Sequence, residues 1–279
     1  MLLSAGQWKG GKKDMKKSSP ARATAVTGKS LRRRNALIVF LFCAATALLV
    51  ILFLSGCRIQ TVVVENASAV SEQSVLEAAG IKAGRHQYAI DKSEIAADIK
   101  AISPYIKKVT VKRRLPTELH IVVEEYEPLY YTEYNGAYWI LSDSLLVLEV
   151  FPEEASAAQK AVTHLILPEI KACEVGKALT FMDESDAAAA RECLMAFQSF
   201  SFEEPLSLLD VSEKFNITAD IANKYKLIYG NSERLAEKIE FSLRAVQYLS
   251  ENMYGASGTI YAAKPGEASF EITGVTKEE

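Results

Sequence analysis

Several short stretches of this 279-residue chain hold residue types that do chemistry in proteins. Leu54-Ser55-Gly56-Cys57 closes an apolar run and looks like a lipobox, where a signal peptidase cuts before a cysteine that then carries lipid. Glu124-Glu125 places two carboxylates together, the pairing that general acid–base catalysis uses. His86, His120 and His164, with Cys43, Cys57, Cys173 and Cys193, are the potential soft metal ligands. Lys9-Gly10-Gly11-Lys12 mixes glycine and lysine as phosphate loops do.

Spacing removes most of this chemistry. Neighbouring residues of a strand point to opposite faces, so Glu124 and Glu125 do not converge on one reacting atom, and a solvated edge is expected for both. The histidines are far apart and no C-x-x-C pair exists, so zinc-type spacing is absent and His86 reads as a loop residue. Neither a strand nor a helix pattern flanks Lys9–Lys12. G-x-S-x-G, H-E-x-x-H and G-x-G-x-x-G fingerprints are missing as well. No cofactor and no metal are expected, and binding replaces catalysis as the expected role. For Cys173 and Cys193 two states stay open: a disulfide, or two buried free thiols.

The elements around these residues say where the chain resides. Residues 1–35 hold ten of the 32 Lys+Arg and one acid, Asp14, about +9 against about −12 for the rest. Ala36–Leu54 follows, nineteen residues with Thr46 as the polar exception. At ~1.5 Å per residue, about twenty such residues cross a hydrocarbon core of ~30 Å. Arg32, Arg33 and Arg34 abut its start and, by the positive-inside rule, hold the N-terminus in the cytoplasm and send residues 58–279 outside. The basic tail lacks interleaved aromatics and reads as attraction to anionic lipid rather than nucleic acid. Its length, with that of the apolar run, exceeds a typical signal peptide, whose h-region is ~7–15 residues. An uncleaved anchor is therefore expected, and a lipoprotein with lipidated Cys57 is the alternative.

Beyond the anchor, Arg58–Val64 reads as a β-branched strand. Ser71 and Gly80 bound a first helix as N-cap and C′ residue. Asp91-Lys92-Ser93-Glu94 opens a second, with Ile95, Ile99 and Ile102 as its apolar stripe and Pro104 as its stop. Two alternating strands follow, around Val109 and Val111 and around Leu119, Ile121 and Val123, joined by a Leu115-Pro116 turn. This β-α-α-β-β order resembles a POTRA domain of the FtsQ/DivIB family of bacterial division proteins. Val62, Val64 and Asn66, Gly80-Ile81 with Gly84, Ile90-Asp91, Pro104-Ile106, Leu115-Pro116, Glu125 and Pro128 carry the resemblance. Glu65 and Tyr126 depart from it, standing where a glycine and an arginine are usual.

After Pro128, Asn135-Gly136 and Ser142-Asp143-Ser144 mark hairpin turns, the second without the family's usual glycine. Phe151–Ala178 reads as a looser stretch, then a helix over Asp183–Phe200, strands at Leu206–Val211, Asn216–Thr218 and Tyr225–Gly230, and a last helix capped by Ser232. Thr259–Ala263, a Pro265-Gly266 turn and Ala268–Ile272 form a closing hairpin. The run around Gly230, Leu235 and Lys238 resembles the family's closing strand–glycine–helix unit, although Tyr261 stands where an Asp is frequent.

The expected fold is α+β: a single-pass membrane anchor, a βααββ POTRA domain, then a mixed α/β sheet domain ending in a β-hairpin. Its expected limits are a cytoplasmic tail at 1–35, the transmembrane helix at 36–57, the POTRA domain at 58–127, the second domain at 128–273 and a tail at 274–279. The resemblance implies a division-septum scaffold in the cell membrane, closest to the Gram-positive DivIB branch. Its implied partners are FtsB/DivIC-type and FtsL-type bitopic proteins and the septal wall-synthesis machinery. The last strand, Ala268, Ser269, Phe270, Glu271 and Ile272, with Tyr261 beside it, is implied as the docking edge. Lys107, Lys108, Lys112, Arg113 and Arg114 form a second, weaker contact candidate. An outer-membrane insertase, which also uses POTRA domains, would need a C-terminal barrel that the second domain is too short to build.

Overall fold

A computed structural model of the chain describes residues 28–253 and 255–275. Most of the basic tail lies outside the described residues. Helix α1, Gly28–Gly56, begins inside the basic segment and runs through the apolar one. Its Arg33–Phe53 portion is 21 residues of apolar helix, a length that fits a single-pass membrane anchor. Within it the Thr46 hydroxyl bonds the Phe42 and Cys43 carbonyls, and the Ser55 hydroxyl that of Leu52. Polar side chains are thus satisfied inside the helix, as lipid requires.

Cys57 does not continue α1. It is wholly buried, and its carbonyl accepts the Gln87 N–H at 3.0 Å. Residues 57–60 are tied to the 84–87 loop and to Thr117, so the first strand is shorter than expected: β1 is Thr61–Glu65. Helix α2, Glu72–Ala79, has Ser71 accepting the Ser74 N–H and Gly80 in the left-handed region. Helix α3, Lys92–Ala101, is capped by Asp91, which accepts the Ser93 and Glu94 N–H groups. Ile95 and Ile99 are buried, but Ile102 is 42% exposed and leaves the expected stripe because the helix has already ended. Strands β2, Ile106–Arg114, and β3, Glu118–Glu125, complete a sheet of order β1-β3-β2 with β1 parallel to β3. Val75, Ile99, Leu119, Ile121 and Val123 form its dry core, at about 1.5–3 kcal/mol each.

Glu125 is a correction to the solvated edge expected of it. Its carboxylate reaches back across the domain and accepts the Ser68 hydroxyl and the Ser68, Ala69 and Val70 N–H groups, while Glu124 faces solvent beside Lys108. Partial burial pushes its pKa up, yet the Ser68 hydroxyl and the three N–H groups outweigh that and hold it below the usual carboxylate range. The unfolded chain then binds the proton first, so the clamp stabilises the domain above the ordinary glutamate pKa and is lost as pH falls through the lower folded value. Urea midpoints between pH 3 and 7 are expected to drop more steeply for the native chain than for Glu125→Gln; parallel curves would refute the clamp.

The second domain is built on a nine-stranded sheet, with a separate two-stranded sheet beside it. In chain order come β4 (Tyr130–Tyr134), β5 (Ala137–Leu141), β6 (Val147–Phe151), α4 (Glu154–Lys160), β7 (Thr163–Ile166), β8 (Ile170–Ala172) and β9 (Thr180–Phe181). After them run α5 (Glu184–Gln198), β10 (Leu206–Asp210), β11 (Ile217–Ile221), β12 (Tyr225–Gly230), α6 (Leu235–Asn252), β13 (Ala256–Tyr261) and β14 (Ser269–Val275). The order across the sheet is β14-β13-β12-β11-β10-β7-β4-β5-β6. Phe151–Ala178 is therefore far from loose: it supplies α4, β8 and the interior strand β7, parallel to both neighbours. Where the second hairpin lacks a glycine, Leu145 takes a φ of 60°, held by bonds to Ser142 and Leu179. Ser232 is not the cap of α6; Arg234 precedes the helix at φ 50° without capping it, its guanidinium donating instead to the Glu237 carboxylate.

Helices α5 and α6 cover one face, burying Phe197, Leu209, Leu227, Tyr229, Ile239 and Ile260 in the main core. Short α4 covers Tyr131, Ile140 and Leu148 on the other face, where Tyr105 and Tyr126 of the first domain also pack. Cys173 and Cys193 are free thiols inside the main core, their pKa values pushed up by burial to about 12 and about 11. That choice between disulfide and thiol is settled by the fold.

Candidate docking edge

A nine-stranded open sheet has two edges, and here they differ. At the β6 edge, the Val147 N–H bonds the Lys177 carbonyl at 2.9 Å and the Val147 carbonyl accepts the Gly176 N–H at 2.8 Å, so the 174–177 loop covers the start of the strand. A bridge between Leu146 and Ala178 extends the cover. Strand β14 forms the other edge and, among the described residues, is paired on one side only, with β13.

The hairpin that presents β14 is built locally. Pro265 and Gly266 turn the chain, with Gly266 at φ 79° and the Glu267 N–H on the Lys264 carbonyl at 3.2 Å, the geometry of a type II turn. Packed against the Glu271 backbone and the Phe270 ring is Gly258, where a Cβ would stand 2.1 Å from the Glu271 carbonyl oxygen and 3.0 Å from the Phe270 ring. Phe270 meets Tyr225 edge-on at 6.4 Å and pins β14 to the core. Register then slips: Ser257 pairs with Gly274 and Gly258 with Ile272, so Thr273 is an extra residue in a β-bulge.

The expected docking residues fall as follows. Ala268 precedes the strand, which runs from Ser269 to Val275, beyond the expected end at Ile272 and into the expected 274–279 tail. Ser269 and Glu271 are exposed on one face, and Tyr261, 42% exposed, donates its hydroxyl to Glu271 at 3.0 Å. Phe270 belongs to the core, whereas Ile272 is 49% exposed at the rim. Glu271 also begins a cross-strand row that traverses the whole sheet: Glu271, Thr259, Lys226, Asp220, Leu208, His164, Tyr131, Ile140 and Glu149. Glu149, at its far end, accepts the Tyr105 hydroxyl of the first domain at 3.0 Å, and both that bond and burial raise the Tyr105 pKa.

Sequence reasoning missed what fixes the loop between β12 and α6. Lys238 on α6 is buried to 1% exposure, its ammonium donating to the Tyr229 carbonyl (3.1 Å), the Asn231 carbonyl (2.9 Å) and Asn231 Oδ1 (2.7 Å). Three donors meet three acceptors, which ties the β12–α6 loop to the helix; burial lowers the lysine pKa. Its position in the strand–glycine–helix unit was the available signal.

The basic strand is mostly engaged. Arg113 donates to the Gln87 and Ile90 carbonyls and lies over Tyr88; Lys108 pairs with Glu124 at 3.0 Å. Lys107 sits 3.8 Å from Asp143 and over the Tyr126 ring, joining the two domains. Lys112 and Arg114 are left outward-facing. Among the described residues no cluster of three His, Cys, Asp or Glu side chains could hold a metal ion.

Comparison with known proteins adds the last observation. The family description "POTRA domain, FtsQ-type" matches residues 57–126, starting at Cys57 where the domain's first bonds start. Over 221 residues the chain is 22% identical to "Cell division protein DivIB" of Clostridium botulinum (strain Hall), covering 78% of this chain and 84% of that one. It is 25% identical over 126 residues to "Cell division protein DivIB" of Bacillus subtilis (strain 168), covering 44% and 48%. With "Cell division protein FtsQ" of Rickettsia bellii it shares 28% over 111 residues, covering 40% and 39%.

Proposed function

Because this chain belongs to the FtsQ/DivIB family of bacterial cell-division proteins, we propose that it is a non-enzymatic bitopic scaffold. Its N-terminus is cytoplasmic, its two domains lie outside the membrane, and it works at the division septum. Through β14 it accepts a strand from a small FtsB/DivIC-type partner and, with an FtsL-type protein, connects septum assembly to wall synthesis. The observation that carries this reading is the asymmetry of the sheet: the start of the β6 edge is bonded to the chain's own 174–177 loop, while the seven-residue β14 is, among the described residues, paired on one side only. An extended segment gains main-chain bonds at such an edge, and the half-exposed Ile272 offers it an apolar contact.

The lipoprotein alternative asks more of the fold. Cys57 would have to become a chain end outside the buried position it holds. Mass spectrometry of the membrane-extracted chain is expected to find peptides from the basic tail and no acylated Cys57.

The docking test is co-isolation of the full chain with its bitopic partners from membranes. Ser269→Pro removes a donor from the edge strand, and Ile272→Asp removes its apolar contact without touching the ladder. Each is expected to reduce co-isolation at least about tenfold, ~1.4 kcal/mol, with melting of the second domain retained. Normal recovery of partners by both variants would sink the docking edge.

A further inference from the structure

Apart from β14, the second domain carries a cavity of about 250 Å³, apolar at its floor and polar at its rim, between α6 and the 199–205 loop that leaves α5. Phe200 and Phe202 wall it on the loop side, and Leu243 and Val246 on the helix side. Cavities of ~150 Å³ lined by aliphatic side chains hold a benzene ring, so this one has room for a leucine or phenylalanine side chain. The rim is charged with an acidic excess: Glu203 and Glu204 are exposed, and among the described residues neither has an ion-pair partner. The one cation on the rim, Arg244, is already paired with Glu240.

The helix side of the cavity has a period. Leu243, Val246, Gln247 and Ser250 recur at i, i+3, i+4 and i+7 on α6: Leu243 and Val246, packed into the core, form the floor, and the exposed Gln247 and Ser250 form the wall above it. Residues 58–279 carry a net charge of about −12, which favours encounter with basic segments over acidic ones. We propose that this groove seats an amphipathic helical segment of a partner protein, one apolar side chain filling the cavity and flanking Lys or Arg side chains meeting Glu203 and Glu204. The site lies on the helical face of the sheet, away from β14, so one chain can hold a strand and a helix at once.

The test uses the full chain in nanodiscs of zwitterionic lipid, with empty nanodiscs as the reference. The probe is a Leu/Lys amphipathic helical peptide with one benzophenone on its apolar face; a Leu/Glu peptide of the same apolar spacing is its counterpart. The Leu/Lys peptide is expected to bind saturably and to photocrosslink to segments containing Phe202 or Gln247. Glu203→Lys/Glu204→Lys is expected to weaken it about tenfold, and the rim variant Gln247→Lys, an exposed change that leaves the core alone, to weaken it in the same direction. The Leu/Glu peptide should show no binding above the empty nanodisc. Crosslinks elsewhere, equal affinity for the two peptides, or indifference to both variants would overturn the proposal.

Discussion

Gly258→Ala is expected to lower the stability of the second domain by about 3 kcal/mol, the upper end of what forced overpacking costs. The new methyl would stand 2.1 Å from the Glu271 carbonyl oxygen, and that oxygen belongs to backbone rather than to a side chain free to turn away. Either β13 and β14 part, or the register changes; both remove the Phe270 ring from its place over the glycine and against Tyr225. For a domain of this size the melting temperature is expected to fall by roughly 6–12 °C. Gly274→Ala supplies the internal comparison. Its Cβ would meet only the Ser257 hydroxyl, at 3.1 Å, and a hydroxyl can rotate. Thermal melts of the two variants are therefore expected to separate widely. Similar small losses in both would mean that the strand pair is looser than its register implies.

Lys238→Met should be nearly as damaging for a different reason. Methionine fills the same channel, so packing is kept, but the Tyr229 and Asn231 carbonyls and Asn231 Oδ1 lose their shared donor. Charged hydrogen bonds contribute about 1.5–3 kcal/mol each and buried acceptors left unpaired cost about 1–3, so a net loss of about 2–4 kcal/mol is expected. Asn231→Ala takes away one acceptor and leaves the ammonium two, and it should cost visibly less. Denaturant titration of the three proteins orders them. A methionine variant as stable as the native chain would show that the loop finds other donors, and the lysine would then have no role in holding it.

The two variants also mark where the sequence stops being readable. Elements with a strong period or a clear cap were legible: Ser71 and Asp91 cap their helices, Asn135-Gly136 turns its hairpin, and the POTRA order follows from alternation. Strand β7 was not. Four residues, Thr163–Ile166, are too few to establish alternation, and their identity as a strand depends on β4 and β10 closing on both sides. Helix α4 is seven residues, mostly alanine and polar, and owes its place to tertiary contact. At the docking edge the last strand was legible to within three residues at its far end, but the bulge at Thr273 and the close approach at Gly258 are properties of a pairing, not of a segment. Charges were visible in the basic strand too. That Arg113 spends its guanidinium on two carbonyls of a loop far away in sequence was not.

One consequence follows from the covered β6 edge. A sheet that can be extended from both sides lets identical molecules link without end, the route to filaments and aggregates. Here the 174–177 loop bonds Val147 and blocks the start of the β6 edge, so a second strand cannot pair along the whole of it. A strand added at β14 completes the sheet rather than propagating it, and two copies meeting through that edge close on themselves as a pair. With the proposed docking at β14, one strand donor per chain is the expected ratio.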